Sequence, residues 1–150
     1  MGRLAYLVIH CTATCEGRDV SAKDIRRWHT APVPQGRGWK QVGYTDLIHL
    51  DGTIERLVNN NEDNNVDTWE ITNGAKGYNS LSRHIVYAGG LDYRGKAKDT
   101  RTAAQLVAME NYVKDFHKRF PNVKIIGHNE IANKACPCFN VQQWLKEIGL

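Results

Sequence analysis

The 150-residue chain has no long apolar run, no internal repeat and no strong charge of either sign. Without a stretch of roughly 20 apolar residues, a membrane-spanning helix is excluded. The opening Met1-Gly-Arg-Leu-Ala-Tyr-Leu-Val-Ile-His10 is too short an apolar run for an export signal and leads straight into a strand. The expectation is cytoplasmic synthesis without a signal peptide. Lack of periodicity rules out solenoids and propellers. A net charge of +4 favours approach to an anionic polymer but is too mild to identify one. Four cysteines, Cys11, Cys15, Cys136 and Cys138, read as thiols or metal ligands rather than as a disulfide framework in a chain with no export signal. With 41% hydrophobic and 24% charged residues, the composition suits one domain over residues 1–150, built on a single core.

What is present is an alternation of strand and helix signals. Leu7-Val-Ile-His10 opens with a buried-strand pattern. Ser21 with Asp24 forms a capping-box start to a helix through Ile25, Trp28 and His29, which the Pro32–Gly38 stretch ends. Thr45–Leu50 and Thr53–Leu57 flank Asp51-Gly52, which predicts a hairpin with a type I′ turn. The connection from Asn59 to about Ser82 is long, and such segments are functional or mobile. Arg83–Ala88 reads as a strand. Thr102 with Gln105 caps a long helix that presents Leu106, Met109, Val113, Phe116 and Phe120 on its apolar side until Pro121. Lys124–Ile126 is a further strand, and Asn140 caps a last helix. The alternation predicts an α/β fold, a mixed central sheet flanked by helices on both faces.

The chemistry concentrates at strand ends. His10 and His128 each follow a short apolar run, where an open sheet presents ligands, and Cys136 follows in a loop. Two imidazoles and one thiolate are the donor count of a catalytic zinc site with one open position, whereas a structural site takes four protein ligands. Zinc held there would activate water and polarise a carbonyl, the requirements for hydrolysing an amide. Lys134 lies two residues before Cys136 and Tyr44 just before the hairpin. Either can stabilise an oxyanion or handle a proton.

Several segments in one collinear order then carry a family resemblance: His10-Cys-Thr-Ala-Thr14, Trp28-His29, Gly43-Tyr44, Asp51-Gly-Thr53, Ala75-Lys-Gly-Tyr-Asn79, Gly89-Gly90 and His128-Asn-Glu through Lys134-Ala-Cys136-Pro137. Together they resemble the zinc-dependent N-acetylmuramoyl-L-alanine amidases of the type 2 family, in particular the phage-lysozyme branch. The resemblance implies the fold shared with peptidoglycan recognition proteins and cleavage of the amide between N-acetylmuramic acid and L-alanine in peptidoglycan. It further implies His10, His128 and Cys136 as ligands of Zn2+, with Tyr44 and Lys134 as the catalytic pair. A monomer acting on the muropeptide stem of the cell wall after release follows, as from a phage or prophage lysin. Neither membrane nor nucleic acid is expected as a partner. A non-catalytic peptidoglycan-binding module, or a regulator acting through a second protein partner, is the alternative on the same fold.

The chain also departs from that branch. Thr45-Asp46 follows Tyr44 where the branch tends to have histidine and an aromatic residue, Gly74 stands where it often has histidine, and Arg83-His84 replaces a small-residue strand entry. The expectation is an altered groove with unaltered chemistry. His29, His49, His84 and His117 read as packing or surface residues, His84 being the one placed to face a groove. Glu62, Asp63 and Asp67 lack the spacing of a calcium loop and fit Asx turns. Lys23, Arg26 and Arg27 form a solvated helix face.

Overall fold

A computed structural model describes residues 2–150, so Met1, the first residue of the expected domain, lies outside the description. In chain order the strands are β1 (Gly2–Arg3), β2 (Tyr6–Cys11), β3 (Thr14–Cys15), β4 (Asp46–Ile48), β5 (Ile54–Arg56), β6 (Asn65–Val66), β7 (Ser82–Tyr87), β8 (Gly90–Leu91) and β9 (Lys124–Gly127). The helices are α1 (Ala22–Thr30), α2 (Ala103–Arg119) and α3 (Val141–Glu147). The central sheet has the order β5-β4-β7-β2-β9, parallel except for the antiparallel β4–β5 hairpin. β2 and β7, at its middle, are almost wholly buried, as strands covered on both faces must be.

One face packs Leu7, Ile9, Ile85 and Tyr87 against Met109, Val113 and Phe116 of α2 and Trp144 and Leu145 of α3. The other packs Leu47, Val86 and Ala88 against Ala22 and Ile25 of α1. The mixed α/β layering expected from the alternation is therefore the architecture found. Both expected capping boxes form: Ser21 Oγ accepts from Asp24 N–H at 3.0 Å, and Thr102 Oγ1 from Gln105 N–H at 3.0 Å.

Two local expectations need correction. The hairpin turn is not type I′: Gly52 has φ 86°, but Asp51 is not in the positive-φ region. Gly52 N–H donates to His49 O at 2.9 Å, and His49 N–H to Thr53 O at 2.8 Å. The loop is thus a four-residue turn completed by a left-handed glycine, a geometry that leaves Asp51 free to accept from Thr53 N–H at 2.9 Å. On α2, Leu106 is 39% exposed while Gln105 is fully buried. The inward face is rotated because Gln105 Nε2 donates to two strand-end carbonyls, Ala88 O at 3.0 Å and Ile48 O at 3.3 Å.

The long connection divides in two. Its first part is tied down: β6 pairs with β1, and buried Arg83 donates to Asp63 O at 2.8 Å and lies 3.5 Å from Glu70. Of the three acidic residues expected in Asx turns, only Asp63 makes one, accepting from Asn65 N–H. Glu62 accepts from Arg56 and Arg119, and Asp67 from Asn61 Nδ2. Asn60, not singled out from the sequence, makes a further turn by accepting from Glu62 N–H. Its second part, from Asn73 to Asn79, borders the site.

Candidate metal centre and groove

β2 and β9 run parallel with Ile9 opposite Gly127, so the next residue on each chain, His10 and His128, emerges side by side. Their ring centroids are 4.6 Å apart. Cys136 comes from the loop after β9, whose path is held by Tyr87 Oη donating to Pro137 O at 2.6 Å. One donor atom from each of His10, His128 and Cys136 falls within 4.8 Å of the others. Cys136 Sγ lies 3.8 Å from His10 Nδ1 and accepts from Cys11 N–H at 3.2 Å.

The electrostatics suit a cation. The Cys136 thiol is pulled below its ordinary pKa by hydrogen bonding from the Cys11 thiol, with Cys11 N–H and Lys134 helping and burial opposing. Burial, then the neighbouring histidines His84 and His128, holds His10 far below the usual imidazole range. Burial, then the Lys134 charge, lowers His128. Neutral imidazoles and a readily ionised thiolate are the protonation states a zinc ion requires of its ligands. The donor set therefore fits tetrahedral zinc with a fourth position open.

A groove of about 770 Å³ opens over His128, walled by Arg37, Trp39 and Tyr44 on one side and by Lys76, Asn79 and Lys134 on others. No carboxylate is among its described lining residues. The Tyr44 ring sits 5.2 Å from the His10 ring. Burial, then the Cys136 and Cys11 thiols, raises its phenol well above the ordinary value, so it keeps its proton. Lys134 is exposed at the groove edge. All five residues singled out from the sequence thus converge on one locality.

Others were given quieter roles by the sequence than they have. His29, expected to be packing or surface, borders the groove between Trp39 and Tyr44, with ring centroids at 4.8 and 5.2 Å. Its Nδ1 accepts from Gly43 N–H at 2.9 Å, which leaves Nε2–H as a donor. A polar residue one turn beyond Ile25 on a helix's buried side was the available signal. His84, read with the packing or surface histidines and as the one placed to face a groove, is a packing residue, fully buried behind His10 because β7 lies inside the sheet. Cys11 supports Cys136, and its Sγ lies 3.8 Å from Cys138 Sγ. Asp46 does not approach the groove: it accepts from Arg56 Nε at 2.7 Å and Tyr112 Oη at 2.6 Å, joining the hairpin to α2.

Comparison with known proteins supplies a family and a fold for the chain. The family model described as N-acetylmuramoyl-L-alanine amidase matches residues 1–139. An endolysin of Enterobacteria phage K11 is 33% identical over 138 residues, spanning 92% of this chain and 83% of the relative. Among solved structures, an N-acetylmuramoyl-L-alanine amidase from Clostridium intestinale superposes with a TM-score of 0.74 at 18% identity, covering 99% of this chain and 87% of its own. A Drosophila PGRP-LB mutant in complex with tracheal cytotoxin superposes with a TM-score of 0.64 at 23% identity, covering 91% and 76%.

Proposed function

Because this chain belongs to the N-acetylmuramoyl-L-alanine amidase family, we propose that it hydrolyses the amide joining the lactyl group of N-acetylmuramic acid to L-alanine in peptidoglycan, with Zn2+ held by His10, His128 and Cys136. The observation that carries this is the clustering of those three donor atoms within 4.8 Å beside a groove that reaches Tyr44 and Lys134. Zinc, when bound, supplies Lewis acidity, which generates a nucleophile from water near neutral pH and polarises a carbonyl.

The chain's own residues do the rest. Tyr44 keeps its phenolic proton and offers Oη–H to the carbonyl oxygen as negative charge builds there. The Lys134 ammonium, at the groove edge, adds positive charge to the same region. Arg37, Lys40 and Lys76 line the remaining wall and suit a stem peptide bearing carboxylates. Relatives named endolysins support action on the wall after release from the cell interior, and one chain supplies every residue invoked.

The test is mass spectrometry of products from purified peptidoglycan, with the zinc-loaded protein, a chelated sample and Cys136→Ser in parallel. Free peptides beginning with L-alanine, lost on chelation and restored by zinc, are expected, with neither metal nor product in Cys136→Ser. A protein that holds zinc, binds muropeptide and releases nothing would instead be a binding module. Full activity of a metal-free Cys136→Ser protein would overturn the mechanism.

A further inference from the structure

His10 presents two ring nitrogens, and the metal reading uses Nδ1, the one beside Cys136. The other, Nε2, lies 2.8 Å from Nδ1 of His84. His84 is fully buried on β7 and turns its own Nε2 toward Asn79 Oδ1 at 3.1 Å. That same Oδ1 accepts from Ala75 N–H at 2.9 Å.

These contacts determine every proton in the series. A backbone N–H can only donate, so the Asn79 atom facing Ala75 is its oxygen, and an amide oxygen can only accept. His84 must therefore carry its proton on Nε2 and present a lone pair at Nδ1. His10 must in turn carry its proton on Nε2, which leaves the Nδ1 lone pair aimed toward Cys136. The series starts at a backbone donor in the groove wall and ends on a metal-facing lone pair.

We propose that His84, anchored by Asn79, is a positioning residue that fixes the tautomer and ring orientation of His10 for metal binding. This inference rests on the metal reading above. His84 is fully buried and is not among the residues that line the groove. Gly74 is part of the same device: a Cβ there would lie 2.6 Å from His84 Nδ1, 2.7 Å from His84 Cγ and 2.7 Å from Gly43 O. The space that a side chain at position 74 would take is the space the His84 ring fills. The two departures noted in the sequence, a glycine at position 74 and a histidine at position 84, are thus one arrangement. A hydrogen bond on the far nitrogen of a ligating histidine orients the ring and raises its basicity, and losing such a partner weakens metal binding about 10–100-fold.

The experiment compares wild type, His84→Ala and His84→Gln by two measurements. Zinc affinity is read by competition with a chromophoric chelator, and the His10 tautomer by long-range 1H–15N NMR of the zinc-free protein. Glutamine can accept from His10 Nε2–H with its oxygen and donate to Asn79 with its nitrogen. The expected result is the Nε2–H tautomer in wild type and in His84→Gln, with mixed tautomers and about 10–100-fold weaker zinc binding in His84→Ala. Unchanged affinity and tautomer in a folded His84→Ala protein overturn the proposal, as does weak binding in His84→Gln with the His10 tautomer intact. A wild type that binds no zinc but shows the His10 tautomer collapsing only in His84→Ala refutes the metal reading while supporting the relay.

Discussion

Replacing Gln105 by methionine tests whether α2 is anchored by a buried amide rather than by its apolar pattern. The change keeps length and helix propensity nearly constant. It removes three hydrogen bonds: Nε2 to Ala88 O at 3.0 Å, Nε2 to Ile48 O at 3.3 Å, and Oε1 from Thr102 N–H at 2.9 Å. Ile48 O keeps Ala88 N–H at 3.0 Å, and half-buried Thr102 has access to water. The cost is then half a capping box, about 1 kcal/mol, plus a buried carbonyl deprived of its side-chain donor, about 1–3 kcal/mol. A sum of about 2–4 kcal/mol lowers Tm by roughly 5–15 °C for a chain of this size. Urea unfolding should show a lower midpoint with unchanged m. Leu106→Ala is the contrast, because Leu106 is 39% exposed and its loss should cost under about 1 kcal/mol. The helical spacing of apolar residues forecasts the reverse ranking. If Leu106→Ala proves the more damaging of the two, the account of the α2 interface is wrong.

Two further perturbations address the site. Tyr44→Phe and Lys134→Ala should each lower the rate of amide cleavage by about 10²-fold or more while zinc affinity stays within about 3-fold, since neither side chain is a ligand; loss of metal in either variant would contradict the assignment. In chelated protein, burial and then Arg37 hold His29 down to about 4, and burial and then His128 hold His84 at about 3. Both folded values lie below the unfolded one, so the unfolded chain takes up protons first as pH falls. Their contribution is complete above about pH 6.5 and is lost on acidification toward those folded values, at up to about 1.4 kcal/mol per pH unit for each group. Urea midpoints that stay level from about pH 6.5 to 4.5 would show that these rings are not buried in neutral form.

What the sequence disclosed was whatever depends on neighbours along the chain. Ser21 with Asp24, Thr102 with Gln105 and Asn140 mark helix starts by bonds spanning three residues, and all three caps form. The apolar runs before His10 and His128 placed both at strand ends because a buried parallel strand needs such a run. Long-range proximity was not legible in this way. That His84 lies against His10, across 74 residues, follows only from the pairing of β2 with β7. Gln105 carries both a cap signal and a core position, and a polarity pattern registers only the first. Asp46 looked like a change in the groove because Tyr44 is two residues away, but Tyr44 precedes β4, which begins at Asp46, so strand alternation does not relate the two. Within β4, Leu47 faces α1 and Asp46 the α2 side, where Tyr112 donates to it.

The placement of β9 also determines when the site comes into being. β9 is an edge strand of the central sheet, bonded only to β2 within it, and it brings His128 and, through the following loop, Cys136. Of the three donors, the first is synthesised at position 10 and the last two near the far end of the chain. A growing polypeptide therefore carries a single histidine of the triad until its final strand docks. Any nascent chain that stops short of Cys136 lacks the full donor set, so the three groups meet only after translation has passed that residue and β9 has joined the sheet.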